Sequence, residues 1–560
     1  AKGRNTIRAQ TIAQRRRPFL LYIDPSGKGY YDDPEIFSID VRGGELKNIR
    51  VLTPSFVVKN KRFDVVVRFE DEFGNLTSHA PEDTLIELSH EHLRENLNWK
   101  LFVPETGFIS LPNLYFNETG VYTVQLLNTK TRQSFRSPPI RCFPDNHKHL
   151  FWGLLHGESD RFDSTENIES CLRHFRDDRA LNFYASSAFE SQEETSNETW
   201  KLVTQNISDF NEDERFATML GFQWRGEAKT EGLRLLVYAK ENKPILRVKE
   251  MRNSSLKKIY KNFSPKEFLS IPCFTMAKGT EYNFDDFDPD FERVVEIYNA
   301  WGSSETTQKE GNLRPIRSSS KYHETAEGSL QRALQRNCRF GFVAGGWDDR
   351  GLYADLYESD QEQYSPGLTA IIAPTHTREA LMEALYQRSC YATTGERMIV
   401  GLYLAGIPMG KETSTAEKPG LAINRHLSGY AAGTTRLKTV EIIRNGKVLH
   451  TFEPDNYFLE FAYDDMTPLE KGVIPAKDKK LPFAYYYLRV TQEDGHIAWS
   501  SPIWVDYIPL SVLPKNPNKR PSKPTLKRDL LEEEEFEEDE LEEDEEDEED
   551  EEEDFEEEDE

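Results

Sequence analysis

Between about residues 146 and 396, short apolar runs alternate with amphipathic stretches, and this alternation constrains the fold more than any other feature of the chain. The run LFWGLLH has the pattern of a strand buried on both faces. Ile168, Leu172 and Phe175 follow it at the spacing of one helix face. Because strands and helices alternate over about 250 residues, the sequence predicts an α/β layered or barrel fold for this region.

The segments on either side have the patterns of β-structure. Within 41–145, Phe63, Val65 and Val67 alternate with polar residues, which is typical of a half-buried strand, and we predict a β-sandwich. Within 397–507, Asn445-Gly446 separates two β-rich runs and predicts a hairpin in a β-rich domain. The predicted fold class is therefore multidomain, α/β plus all-β.

The two ends of the chain differ in charge. Residues 1–40 form a basic N-terminal arm, and 508–531 form a linker rich in proline and lysine. Of the 29 residues in 532–560, 26 are acidic, and we predict that this tail is disordered because it has little apolar surface to bury. Such a polyanion could bind basic proteins, or it could be a solubilising tail with no dedicated partner.

Composition limits the remaining functions. Without the tail, 72 acidic residues face 70 basic ones, so we expect no nucleic acid to bind the body of the protein. No uncharged apolar run reaches about 18 residues, and no lipidation or amphipathic signal indicates a membrane role. The N-terminus has no apolar core of a secretory signal, and the five cysteines are scattered. These features predict a cytoplasmic protein.

Two groups of polar residues stand directly after predicted strands, a position that is typical of functional sites. His156 stands at the predicted carboxyl end of the first α/β strand, where loops converge in barrels and open sheets. Asp348 and Asp349 follow another buried-looking strand and could face a metal. The alternatives are a strand-end histidine bonded to backbone and a solvated turn. The chain has no HExxH, GxSxG or GxGxxG motif.

Four motifs carry a resemblance to a known family: FWGLLHGES, VVEIYNAWGSSE, TREALMEAL and YATTGERM. They resemble, in order, those of a large bacterial family recorded as a domain of unknown function within the PHP-like metallohydrolase superfamily. The resemblance covers about 45–507. It implies a β-sandwich, a PHP-type distorted (β/α)7 barrel and a β-rich cap, with a metal site that hydrolyses phosphoesters or similar bonds.

The resemblance also implies where metal ligands should lie, and most of those positions differ here. His156 is retained, but Glu158 takes the place of the last residue of its motif. The family's bridging carboxylate corresponds to Gln223, and the positions of three ligand histidines hold Phe189, Leu233 and Phe274.

The Pro-His-His motif of the family becomes Pro272-Cys273-Phe274. The last motif keeps acids at Asp348 and Asp349 but has Arg350 near the histidine position.

Two hypotheses follow. Under the first, the chain is a pseudoenzyme with no catalytic residue and no cofactor, used as a binding or structural module. Under the alternative, a metal-dependent, phosphoesterase-like hydrolase keeps one divalent ion, such as zinc or manganese. Its ligands would be His156, Glu158 and Asp348, with Glu190 or Glu296 nearby.

Overall fold

A computed structural model gives the architecture. The residues that it describes are 11, 13–31, 33–80, 86–90, 99–145, 147–157, 165–316, 323–346, 364–475 and 481–509. This part of the chain is rich in β-structure and forms several sheets. No helix among these residues is both long enough and apolar enough to cross a membrane. The predicted acidic tail and most of the predicted linker lie outside the described residues.

The N-terminal region contains a two-stranded ribbon, in which β1 (Gln14–Leu21) pairs antiparallel with β2 (Glu35–Val41). Small sheets follow it. Their strands are β3 (Asn48–Leu52), β4 (Phe56–Val58), β5 (Phe63–Glu70), β6 (Ile86–His90), β7 (Trp99–Leu101), β8 (Phe108–Leu114), β9 (Gly120–Tyr122), β10 (Val124–Asn128), β11 (Ser134–Arg136) and β12 (Ile140–Phe143). Val65, Val67 and Phe69 of β5 are buried in one core, as predicted, but Arg68 and Glu70 on the other face of the strand are buried too.

The central region alternates strands with helices, as predicted. Its strands are β13 (His149–Leu154), β14 (Phe183–Ala185), β15 (Ala188–Phe189), β16 (Ala217–Met219), β17 (Gly221–Arg225), β18 (Leu233–Tyr238), β19 (Phe268–Cys273), β20 (Val294–Asn299), β21 (Gly302–Ser303), β22 (Gly341–Ala344), β23 (Leu368–Ala373) and β24 (Cys390–Thr393). Its helices are α1 (Thr165–Arg173), α2 (Asn197–Asp209), α3 (Leu256–Asn262), α4 (Leu330–Gln335) and α5 (Arg378–Tyr386). A π-helical turn, His174–Asp178, continues α1.

The predicted helix faces are buried. Ile168 and Leu172 of α1 and Phe175 of the π-helical turn pack into the core. Helix α5 begins after Thr377, whose side chain accepts a hydrogen bond from the backbone N–H of Ala380. Such a cap satisfies one of the N–H groups that have no partner within the helix.

The C-terminal region is almost entirely β-structure. Its elements are β25 (Ile399–Leu404), β26 (Ile407–Pro408), β27 (Glu412–Ser414), β28 (Arg425–Ala432), β29 (Leu437–Arg444), β30 (Lys447–Phe452), β31 (Phe458–Asp465), α6 (Leu469–Gly472), β32 (Phe483–Gln492), β33 (Ile497–Ser500) and β34 (Ile503–Asp506). Asn445 and Gly446 join β29 to β30 with φ angles of 51° and 80°. Both are positive, which confirms the predicted hairpin and its turn chemistry.

One sheet joins the central and C-terminal regions. It contains the parallel strands β13, β14 and β16, continues through β23 and β24, and passes to β33, β32, β29 and β30. Tyr391 of β24 pairs with Ser500 of β33. The boundary that the sequence predicts between 396 and 397 is therefore crossed by hydrogen-bonded strands.

Candidate functional site

Three strands bring a histidine, a cysteine and a glutamate together. His156 lies two residues beyond β13, Cys273 is the last residue of β19, and Glu296 belongs to β20. One potential ligand atom from each of the three residues lies within 4.8 Å of the others, and all three residues are buried. We call this group the His156 cluster.

His156 and Glu296 form a buried ion pair. Nδ1 of His156 lies 2.8 Å from Oε2 of Glu296, and both side chains are 2% exposed. Asn299 donates from Nδ2 to Oε1 of the same carboxylate at 2.7 Å. Burial alone would lower the pKa of His156, but the carboxylate outweighs it and holds that pKa well above its usual value. The Glu296 carboxylate therefore favours the protonated form of His156.

Cys273 completes the cluster as a protonated thiol. Burial, together with the Glu296 carboxylate, raises the pKa of this thiol to about 11, although His156 acts in the opposite direction. Its Sγ donates to the carbonyl oxygen of Ile271 at 3.4 Å. The thiolate, which is the form that attacks electrophiles and binds metals, is scarce at neutral pH.

The cluster is tightly enclosed. The ring of Phe274 meets the ring of His156 edge-on, with 5.9 Å between centroids. A Cβ atom on Gly345 would lie 2.4 Å from Oε2 of Glu296 and 2.6 Å from Cβ of His156, so only glycine fits there. The N–H of Gly346 donates to the carbonyl of His156 at 2.7 Å. The cluster can therefore neutralise charge inside the core, but it presents no exposed group to a substrate.

Gln223 is linked through Ser187 to the segment that carries His156. Its Nε2 donates to the carbonyl of Ser187 at 2.8 Å, and the Ser187 hydroxyl donates to the carbonyl of Gly157 at 3.0 Å. These bonds connect Gln223 to the residue after His156. Oε1 of Gln223 is buried and accepts no hydrogen bond from the described residues.

Glu190 is directed elsewhere. Its Oε2 accepts from the backbone N–H of Val248 at 3.1 Å, and burial raises the pKa of its carboxyl. The remaining candidates from the sequence lie outside the described residues; they are Glu158, Asp348, Asp349 and Arg350.

From the sequence, Cys273 is interpreted only as the replacement of a ligand histidine. Glu296 is predicted only to lie near other ligands. Both stand in short buried strands, and Cys273 ends its strand. A polar, metal-binding residue type at such a position was the available signal. That the two converge on His156 depends on the pairing of distant strands, which local patterns do not reveal.

Comparisons with known proteins identify relatives that match most of the chain. Residues 318–435 match the model of the family described as "Protein of unknown function (DUF3604)". An uncharacterized protein of Chlamydia pneumoniae is 59% identical over 498 residues, which are 89% of this chain and 80% of that protein. An uncharacterized protein of Chlamydia trachomatis is 58% identical over the same shares.

Among solved structures, the chain is similar to a two-domain protein from Bacteroides vulgatus that contains a predicted PHP-like metal-dependent phosphoesterase. The sequence identity is 11%, the TM-score is 0.31, and the match covers 64% of this chain and 96% of that one.

Proposed function

The chain belongs to the same family as the uncharacterized chlamydial proteins, and on that premise we propose that it is a non-catalytic, PHP-like binding or structural module. In this proposal residues 146–396 form a PHP-type distorted (β/α)7 barrel between the β-sandwich and the C-terminal β-rich domain. The observation that carries the proposal is the buried ion pair of His156 and Glu296.

The ion pair supports a non-catalytic site because the imidazole of His156 and the carboxylate of Glu296 are each other's hydrogen-bond partners. A zinc ion needs its ligand atoms at about 2.0–2.2 Å, and a catalytic zinc also needs an open position for water. Here Nδ1 of His156 and Oε2 of Glu296 lie 2.8 Å apart and are hydrogen-bonded to each other, so a metal that used both atoms would have to displace this contact.

The apolar neighbours support the same interpretation. Leu233 and Phe274, which stand where the family resemblance implies histidines, are buried, and Phe274 packs against the His156 ring. Neither side chain has a lone pair for a metal. In this account the ancestral metal centre has been replaced by a neutralised core.

We further propose that the acidic tail, 532–560, binds basic proteins. Its 26 carboxylates give a strong, salt-dependent attraction to positively charged surfaces. The full chain should capture basic proteins such as histones at low salt and release them at high salt. Equal capture by a chain that ends at residue 531 would contradict this role of the tail.

A single-metal hydrolase is the second candidate, and the convergence of His156, Cys273 and Glu296 favours it. Imidazole, thiolate and carboxylate are all zinc ligands, and catalytic zinc sites commonly use three protein ligands. The residues fit a zinc ion in number and type, provided that His156 and Cys273 each release a proton. In that case the protein would hold the ion with these three side chains, and the ion would activate a water molecule.

Thermal unfolding with and without metal separates the two candidates. If the site is non-catalytic and binds no metal, zinc, manganese or a chelator should leave the melting temperature unchanged. If the protein is a single-metal hydrolase, zinc should raise the melting temperature of the wild type but not that of Cys273→Ser. Cys338→Ser is the matched control, because Cys338 is a buried free cysteine outside the cluster. Zinc stabilisation that Cys273→Ser alone abolishes would overturn the non-catalytic assignment.

A further inference from the structure

The two-stranded ribbon of β1 and β2 exposes most of its apolar residues. Gln14 at its base is buried, Arg17 and Val41 are half-buried, and the other residues of the two strands are exposed. The large apolar side chains exposed on the strands are those of Phe19, Leu20, Leu21, Ile36, Phe37 and Ile39. Because a two-stranded hairpin is at best marginally stable on its own in water, such a ribbon gains stability when a partner covers it.

The ribbon is fixed to the body of the protein at both ends. On the β1 side, the N–H of Ala13 donates to Oδ1 of Asn75 at 2.7 Å. On the β2 side, the N–H of Gly44 donates to Oδ2 of Asp71 at 2.9 Å. Asn75 donates from Nδ2 to the same oxygen of Asp71 at 2.9 Å, and both residues are buried. The exposed apolar residues are therefore held at a defined place on the body.

The register of the strands assigns the side chains to two faces. Directly opposite residues share a face, and one face contains the pairs Arg17–Ile39, Phe19–Phe37 and Leu21–Glu35. We call this the Phe37 face. Its two phenylalanine rings are stacked, with 5.6 Å between centroids. Leu20 and Ile36 pair on the opposite face.

The Phe37 face has the size of a small interaction surface. Its four apolar side chains are each between 42% and 50% exposed. At about 150–250 Å² for a large side chain, they expose roughly 300 Å² of apolar surface, an extent that is often functional. Two such faces with their polar margins approach the roughly 1,200 Å² that a small specific interface buries.

Charge is distributed unevenly along the ribbon. At its base, Asp40 is the only acid beside four basic residues, which are Arg15, Arg16, Arg17 and Arg42. Residues 22–35, which lead from β1 into β2, have Lys28 as the only basic residue beside four acids, which are Asp24, Asp32, Asp33 and Glu35. On the Phe37 face itself, Arg17 lies toward the base and Glu35 toward the other end. The two ends of the face therefore have opposite charge.

We propose that the Phe37 face binds the same face of a second copy of this chain, with the two ribbons antiparallel. A two-fold axis places the base of each ribbon beside the far end of the other, so that Arg17 of one copy lies near Glu35 of the other. The apolar side chains pack between these charged ends. The acids of 22–35 disfavour the alternative that the ribbon enters an anionic membrane end-first. The interface depends neither on the His156 cluster nor on the acidic tail.

Sedimentation velocity of the full chain over a range of concentrations tests the interface. At about 0.15 M salt, which screens the repulsion between acidic tails, the wild type should pass from one chain mass, 64.9 kDa, to twice that mass. Phe37→Asp should raise the Kd about tenfold or more, because each copy then buries a charge in the apolar contact. Ile36→Asp is the matched control and should dimerise like the wild type, because Ile36 is more exposed and lies on the opposite face.

Two results of this experiment would overturn the proposal. One is a wild type that stays monomeric at about 100 µM, whether or not it binds vesicles of anionic lipid. The other is a dimer that Phe37→Asp leaves intact.

Charge exchange tests the antiparallel arrangement without changing an apolar residue. Glu35→Arg and Arg17→Glu should each raise the Kd about tenfold, because like charges then meet across the two-fold axis. The double variant should return the Kd to within about threefold of the wild-type value. A double variant that dimerises no better than either single variant would contradict the interface.

Discussion

At the scale of residues, two histidine–carboxylate pairs have the same geometry in opposite surroundings. The His156–Glu296 pair and the His426–Asp464 pair both have Nδ1 at 2.8 Å from a carboxylate oxygen. The first pair is 2% exposed, whereas His426 and Asp464 are 49% and 53% exposed. Breaking a buried pair leaves an uncompensated charge in the core, while a surface pair exchanges its partner for water.

We therefore predict that His156→Ala lowers the free energy of unfolding by about 3–5 kcal/mol. His426→Ala should leave it nearly unchanged. Urea denaturation of the two variants and the wild type measures the difference. A loss for His156→Ala no larger than that for His426→Ala would show that the buried pair does not stabilise the core.

Asp465 gives a prediction about pH. Burial would raise the pKa of its carboxyl, but hydrogen bonds from Tyr486, Arg425 and Arg444 lower it from 3.8 to about 2. Because the folded pKa lies below the unfolded one, the ionised carboxylate stabilises the fold above about pH 4, and this stabilisation is lost as the pH falls toward 2.

The comparison is with Asp465→Asn, measured by urea denaturation between pH 2 and 6. The wild type should be more stable than the variant at pH 6, and the difference should shrink below about pH 4. Asp455→Asn serves as the control, since Asp455 is 98% exposed. A difference that stays constant down to pH 2 would contradict the lowered pKa.

At the scale of elements, the sequence predicted those features that depend only on neighbouring residues. The cap at Thr377 and the turn at Asn445-Gly446 depend on residues within one turn of chain, and both are present. The apolar run LFWGLLH also contributes to a strand, β13, as the sequence predicts. What the sequence could not provide is which strands pair, because β24 meets β33 across more than a hundred residues of chain.

Glu305 shows what the AWGSSE motif contributes between elements. Its carboxylate, 2% exposed, accepts from Tyr487 Oη at 2.7 Å, from Arg489 Nη1 at 3.1 Å and from Trp499 Nε1 at 2.9 Å. These three residues belong to β32 and β33, so one side chain ties the loop after β21 to the C-terminal strands. The motif therefore has a structural role between the central and C-terminal regions.

We predict that Glu305→Gln lowers the free energy of unfolding by about 2–3 kcal/mol, because the bonds to a charged acceptor weaken together. Guanidinium denaturation monitored by tryptophan fluorescence measures it. Glu493→Gln, at an exposed position near the β32–β33 turn, should change little. Equal stability of Glu305→Gln and the wild type would show that this carboxylate does not stabilise the fold.

At the scale of the whole molecule, the candidate site was only partly predictable. His156 was identified from its position after a strand, and it does lie in a buried polar cluster. Glu296 was named only as one of two glutamates near the site, and Cys273 was not identified as a partner of His156, because only the assembled strands bring residues so distant in sequence within 4.8 Å. Sequence patterns can find a strand end, but they do not show which strand ends converge.

Metal content tests the central claim most directly. The chain should be purified without residues 532–560, whose carboxylates would bind cations unspecifically, incubated with zinc or manganese, desalted, and analysed by mass spectrometry. The account predicts no stoichiometric metal in the wild type, and the same result for His156→Ala. One equivalent of zinc or manganese in the wild type that is absent from His156→Ala would contradict the account and establish the His156 cluster as a metal site.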